Sequence, residues 1–518
     1  MAIPITARSL AVASTLGLAF VLVAGTASAQ TETGASTYYG ATTYYVDCSA
    51  GNDSASGTSA AAPWRSLARV NAATFRPGDV IQFRAGTTCN GTLAPHGSGT
   101  TAAPIVARSY GTGPDARIDG QGATAAVLLH NVEGWELRHL DITSTGPAPA
   151  ADQQRVGIQV LLEDYGTGHH YVVADVNVHD VQGCDCRDPH ASGGILFSAE
   201  GSTTPTGFDD VQVRRNTVTH VDRTGIGTVS SWQKRSIYPN GPGSTWVPMT
   251  GVVIADNTVS DAGGDGIMVF NGSEARVVRN TVNGFNTRSA DYNVGMYAWN
   301  SDHTVFQNND VGHGKSPGMA FDIEGANVNT VYQYNFSHDN GGGFLFVCPS
   351  NGAASSGGVV RYNISQNDNG GSFLAVITAP CGDVPNTRIY NNTIYAPGAT
   401  TMVNTVSPTT FRLTNNIFVG SAAGSAFADP YDTYTNNLYR NVSTLPSHTS
   451  GGVSADPLLT APGTAVSAGT ADGYRLRTGS PAIGAGASLA DSGASDYFGN
   501  PIPSTPSIGA YQGPPVSG

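Results

Sequence analysis

Asp322 and Glu324 stand two residues apart in Gly318-Met-Ala-Phe-Asp-Ile-Glu-Gly-Ala-Asn327. In a strand both side chains leave the same face. Two carboxylates cannot share a core without partners, so that face is expected to line a cleft or meet solvent. Two carboxyl groups flanking a glycosidic bond suffice for its hydrolysis, one with a raised pKa to donate a proton and the other ionised as nucleophile or base. Neighbouring acids push each other's pKa values apart, which is the asymmetry this chemistry needs. Asp310, Asp339 in Ser337-His-Asp-Asn-Gly341 and Asp265 in Gly264-Asp-Gly266 are further acids that could complete the pair.

Lys315, in His313-Gly-Lys-Ser-Pro317, directly precedes the acid strand and opens a second chemistry. In β-elimination on a uronate polymer, a Lys or Arg base removes the proton beside the substrate carboxylate, often while Ca²⁺ held by several acids neutralises the charge. Asp322, Glu324 and Asp310 would then hold the ion and Lys315 would be the base. Against this, no arginine cluster marks a grip for an anionic polymer, and a net charge of -13 repels one. Hydrolysis without a cofactor is favoured, with Ca²⁺ belonging only to the elimination reading. His338 and Asp339 fall in a turn that is polar in every repeat, as in His179-Asp180 and Gln366-Asn-Asp368. Turn chemistry accounts for them first, with catalysis by Asp339 and substrate contact by His338 as the functional reading.

The elements that must position these groups are repeats. An apolar strand leads to Asn-x-Val or a near equivalent, then a polar turn, then a Gly followed by alternating apolar positions. From Asn257 the Asn recurs at intervals of 23, 29, 26, 28 and 29. The interval of 41 from Asn216 to Asn257 carries a loop near Ser230 to Pro248 with Trp232, Lys234, Tyr238 and Trp246. Periods of this size, with about three short strands each, predict coils stacked into a parallel β-helix. The recurring Asn predicts a ladder of stacked amides at one corner, a structural device.

Aligning the coils on Gly266, Gly295, Gly318 and Gly343 sends Ile267, Val269, Met296, Ala298, Met319, Phe321, Ile323, Phe344 and Phe346 inward. Met268, Phe270, Tyr297, Trp299, Asp322, Glu324, Leu345 and Val347 then face out. Exposed rings need a cover. Sugar rings stacked on Phe270, Tyr297 and Trp299, with Asp265, Asp310 and His338 as polar contacts, would supply one; the loop near Ser230 to Pro248 folded over this face is the structural alternative.

Composition agrees with a solenoid. The 518 residues include 65 Gly, and lysine occurs only at Lys234 and Lys315, which suits short strands and tight turns rather than long helices. No basic patch suggests nucleic acid. Arg8, the apolar run from Leu10 to Val23 and Ala27-Ser28-Ala29 have the form of a signal peptide ending near residue 29. Nothing later approaches a membrane-spanning length, so a secreted, extracellular monomer acting on a polysaccharide or oligosaccharide is expected. Six cysteines in a secreted chain suggest up to three disulfides among 15 connectivities. The expected pairs are Cys48 with Cys89, Cys184 with Cys186, and Cys348 with Cys381, the last on neighbouring rungs. No CxxC pair or His cluster supports zinc at the cysteines.

The chain divides into a leader (1–29), an N-terminal cap with first coils (30–134), the helical coils that carry the groove (135–450) and a C-terminal cap (451–518). Trp64, Leu67 and Val70 share helical spacing in the first cap. The last segment is expected to close the open end of the solenoid.

The Tyr44-Tyr-Val-Asp opening with Gly57-Thr and Pro63-Trp64, the Asn-x-Val rungs, and the ending Gly479-Ser-Pro-Ala-Ile with Ile508-Gly-Ala-Tyr resemble secreted right-handed parallel β-helix proteins of the pectate-lyase-like superfamily. That resemblance implies an all-β, right-handed parallel β-helix over nearly all of the mature chain. It does not choose a reaction, because the superfamily holds polysaccharide lyases, glycoside hydrolases, epimerases and non-enzymatic adhesins. Its closest lyases carry clustered Asp residues and a strand-borne Lys that find no match here. A non-catalytic glycan-binding β-helix stays as the third reading, separated from the enzymes by whether acids and rings share a concave groove.

Overall fold

The structure, a computed structural model, describes residues 40–186, 191–289, 291–349, 352–371 and 374–517; the expected leader lies outside them. Among these residues the strands form three sheets of 15, 14 and 11 members, and neighbouring strands in each are parallel. One coil shows the plan. Val305–Gln307 belongs to the first sheet, Asp310–Gly312 to the second and Met319–Glu324 to the third, and Val331–Gln333 returns to the first. Crossovers between parallel strands are right-handed, and the result is the right-handed parallel β-helix. Its core is a continuous file of Val, Ile, Leu and Phe from Val46 to Tyr439.

The corner between first and second sheets explains the repeat. Asn216, Asn257, Asn280, Asn309, Asn335, Asn363, Asn392, Asn416 and Asn437 stack, each Oδ1 from Asn257 onward accepting from the backbone N–H and the Nδ2 of the Asn one coil earlier. The residue before each lies in the left-handed region, from Arg215 (φ 55) to Asn436 (φ 53). That backbone is unfavourable for a side-chain-bearing residue, and the buried amide stack offsets it. Past Asn392 the stack continues through Asn416 and Asn437, while Asn415 and Asn436 take the left-handed position.

At the start, Ser66 caps the short helix Leu67–Asn71 by accepting from the Arg69 N–H, and Leu67 and Val70 are buried with Trp64. At the other end the segment 451–518 does more than follow the last coil. Leu459, Tyr474, Ile508 and Tyr511 pack on Phe336, Ile364, Ile417 and Leu438 of the second sheet, and the Ala468 N–H reaches back to Asp310 Oδ2 at 2.8 Å. It therefore runs back along the flank, because those outward apolar side chains need a cover. Three disulfides join Cys48 to Cys89, Cys184 to Cys186 and Cys348 to Cys381.

The last coils hold a buried acid pair. Asp429 accepts from Tyr434 Oη and Thr405 Oγ1. Burial first, and then the charge of Asp429, push Asp432 up to about 7. An Asp raised above its unfolded value of about 3.9 contributes stability that is fully present below that value and lost as pH rises through the folded one. Asp432→Asn is therefore expected to unfold at higher urea than the parent at pH 8. The gap should close below about pH 4, the unfolded Asp value; denaturation curves at the two pH values check this, and a gap that is the same at both would contradict it.

Candidate active site

The third sheet carries the site. Tyr297 opposes Asp322, Asp322 opposes Phe346, Phe346 opposes Thr378 and Thr378 opposes Asn404. This single row crosses five coils at about 4.8 Å per rung, and all five side chains line one cavity of about 510 Å³. Glu324 and Cys348, paired on the next row, line it as well. Loops raise its walls with Asp291, Tyr292, Asn293, Pro317 and the Cys348–Cys381 disulfide, and the Tyr292 ring stacks over Phe346 with centroids 6.1 Å apart. The volume falls in the range of small-ligand pockets, about 300–1,000 Å³.

Asp322 is 1% exposed. Burial first, then the charge of Glu324 and a hydrogen bond to it, then the charge of Asp265, hold its carboxyl well above the usual range. The backbone N–H of Cys348 pulls weakly the other way. Asp322 Oδ1 is buried without a hydrogen-bond partner in the protein, and the neighbouring carbonyl of the same residue accepts from the buried Tyr332 hydroxyl. The Asp322 carboxyl is thus biased toward its protonated form. Glu324 is half-buried at the cavity wall, with Oε2 accepting from the Gly325 N–H at 3.0 Å.

Asp265 occupies another part of the wall with different partners. Its Oδ1 accepts from the Val294 N–H at 2.8 Å and its Oδ2 meets Arg223 Nη2 at 3.1 Å. Arg223, itself 3% exposed, also reaches Asp185, which the Cys184–Cys186 disulfide brackets and to which Ser289 donates at 2.7 Å.

The structure gathers Asp322, Glu324, Asp265 and Tyr297 at one cavity, and places the other residues singled out by sequence elsewhere. Trp299 is buried, its Nε1 donating to Gln233 Oε1 at 2.8 Å and its ring edge-on to Tyr238. The loop near Ser230 to Pro248 is its cover, pinned by Arg235 to Asn300, Asp302 and the Ala326 carbonyl and stacked on Trp246 at 4.2 Å. Phe270 packs beside Tyr297 and Trp299 in the same cluster. Trp299→Phe is expected to cost about 1–3 kcal/mol, since Gln233 Oε1 is left unpaired, while kcat/KM stays within twofold. A large loss of activity at unchanged Tm would place Trp299 in the site after all.

Asp310, His338 and Asp339 belong to the second sheet and its following turn. Burial opposes charge on His338, but hydrogen bonds to Asp310 (3.1 Å) and Asp339 (2.9 Å) hold its imidazole above the ordinary value. Asp339 takes the left-handed turn position at φ 54, and Asp310 anchors Ala468. Lys315 is exposed in the loop before the acid strand, outside the cavity lining.

The face assignment needs two corrections. Gly343 pairs with Met319 rather than matching Gly318, so Leu345 and Val347 enter the core and Phe346 faces the cavity. A one-residue slip exchanges the faces of a strand. Met319, expected inside, lines the cavity. Asp291, Tyr292, Thr378 and Asn404 were missed because they lie in loops or in coils past the aligned glycines, where no periodic signal marks them.

The class that this fold defines is the right-handed parallel β-helix, and a family model described as "Right handed beta helix region" matches residues 193–394. Among individual proteins, the Lacto-N-biosidase of Bifidobacterium longum subsp. longum is 27% identical over 585 residues, covering 90% of this chain. The alignment spans only 36% of that relative's length, a little over a third. The GH136 lacto-N-biosidase from Eubacterium ramulus superposes with a TM-score of 0.56 at 19% identity, over 80% of this chain and 67% of its own. XylC in complex with xylose superposes with a TM-score of 0.52 at 10% identity, over 92% of this chain and 99% of that chain. At these identities the structural likeness establishes the fold.

Proposed function

We propose that the chain is a secreted glycoside hydrolase that cleaves glycosidic bonds of an oligosaccharide or polysaccharide in the cavity built on Asp322. The observation that carries this reading is a buried carboxyl, raised by burial and by its neighbour, paired with a second carboxyl on the wall of a ring-lined pocket. Asp322 gives its proton to the glycosidic oxygen as the bond from that oxygen to the anomeric carbon breaks. Glu324, ionised in this mechanism, stabilises the positive charge growing at that carbon. Water then adds to the carbon, and its proton returns to the pair. Tyr297 and the Tyr292–Phe346 stack present faces on which sugar rings can pack, while Thr378 and Asn404 offer hydrogen bonds to hydroxyls.

The named relatives support this chemistry, two being lacto-N-biosidases and one holding xylose. Elimination is less well supported, because no Lys or Arg is found among the described lining residues to act as base or to hold a uronate. Three disulfides support an oxidising, extracellular setting. No helix of the described residues is long and apolar enough to cross a membrane. The test is a panel of lacto-N-type, xylose-containing and uronate-containing glycans with product mass spectrometry. Products that have gained water are expected, unchanged by a calcium chelator. Unsaturated products absorbing in the ultraviolet would overturn hydrolysis.

A further inference from the structure

A second cleft, also of about 510 Å³, lies far along the chain from the acid pair, between the second sheet and the returning C-terminal segment. One wall is a row of the sheet: Tyr395 opposes Val419 and Val419 opposes Arg440 on successive coils. Two rung spacings make that wall about 10 Å long, the scale of one or two sugar rings. The other wall comes from the C-terminal segment, with Leu459 and Arg477. Arg440 is in ion-pair contact with Asp456. Arg477 makes no ion pair among the described residues, and its Nε is buried with no protein acceptor.

We propose that this cleft is a second glycan-binding site, specific for a pyranose that bears a carboxylate, with Arg477 holding the carboxylate and the half-buried Tyr395 ring taking the sugar face. Arg477 is partly exposed at the cleft, and the planar fork of a guanidinium matches a carboxylate in two parallel hydrogen bonds. The lining carries two cations and one anion in a protein whose net charge is -13. The positive balance is therefore local to the cleft. The contrast with the catalytic cavity is direct, since the described lining there has acids and no Lys or Arg. Two apolar prolines, Pro457 and Pro462, add apolar surface to the lining that includes Tyr395. The inference does not depend on the hydrolase reading, because it concerns binding at residues that the catalytic cavity does not share.

The experiment is a calorimetric titration of the full secreted chain with glucuronic acid, N-acetylneuraminic acid, glucuronic acid methyl ester, galactose and inorganic phosphate. Saturable binding of at least one free acid is expected, with at least tenfold weaker binding of the methyl ester and of galactose. Arg477→Gln and Tyr395→Leu should each weaken the acid at least fivefold, whereas Glu324→Gln should leave it unchanged. The methyl ester tests the carboxylate on the unaltered protein, whatever the variants do to folding. Equal binding of acid and ester, phosphate binding as tight as the sugar acid, or no saturable binding at millimolar ligand would each overturn the proposal. Binding abolished by Glu324→Gln but not by Arg477→Gln would place the acid in the catalytic cavity instead.

Discussion

Asp322→Asn is expected to lower turnover by about 10³-fold, within the range of a lost general acid, and at the same time to make the protein more stable at alkaline pH. Both effects have one cause. The Asp322 carboxyl is raised because burial and Glu324 oppose its charge. A group whose folded pKa lies above its unfolded value contributes stability that is complete below the unfolded pKa and is lost as pH rises through the folded one. The amide has the same shape, carries no proton to give and does not ionise. It removes the catalytic step and the alkaline penalty together, the signature of a site strained for function. Turnover on the substrate found by the glycan panel and urea denaturation at pH 6 and 9 read the two halves separately. Full activity in this variant would falsify the assignment; loss of activity with lower stability at both pH values would reduce Asp322 to a structural role. Glu324→Gln keeps a hydrogen-bonding partner but deletes the charge that raises Asp322. The alkaline limb of the kcat/KM profile should therefore move to lower pH, in addition to a fall in its maximum.

The acid strand was legible in the sequence because its chemistry contradicts its period: Asp322 and Glu324 interrupt positions that other coils fill with Met268, Phe270, Tyr297 and Trp299. The direction of those side chains followed from alternation alone. What sequence could not supply was the cover. Trp299 and Tyr297 alternate identically, yet Trp299 meets Gln233 and Tyr238 of a loop inserted some 60 residues earlier, while Tyr297 stays at the cavity. Register at Gly343 was equally hidden, because this glycine, at φ 128, pairs with Met319 and so sits one residue beyond the glycine with which it was aligned. His338 and Asp310, read from sequence as polar contacts for substrate, bond to each other, and Asp310 also meets the C-terminal segment, a contact between residues about 160 positions apart. The fold, by contrast, repeats its own evidence in every coil, so one misread coil does not obscure it.

That redundancy makes the asparagine ladder the most sensitive structural target. Asn335→Ala is expected to destabilise the protein by about 3–4 kcal/mol, as two or three buried polar groups lose their partners at about 1–3 kcal/mol each. The side chain accepts from the N–H and Nδ2 of Asn309 and donates to the Phe306 carbonyl and to Asn363 Oδ1. Its removal strands groups on two coils, and it also leaves Tyr334 in a left-handed conformation (φ 57) with its local compensation gone. The same change at Asn437 should be milder. That side chain accepts from Asn416 and donates to the Leu413 carbonyl, at the last stacked position. In a solenoid whose stability is a sum of nearest-neighbour terms, an interior rung loses two interfaces and a terminal one loses one. Denaturant unfolding of the two variants should therefore give a larger shift in midpoint for Asn335→Ala than for Asn437→Ala. Equal shifts would mean that the amides act singly, as corner turns, and that stacking along the axis contributes nothing of its own.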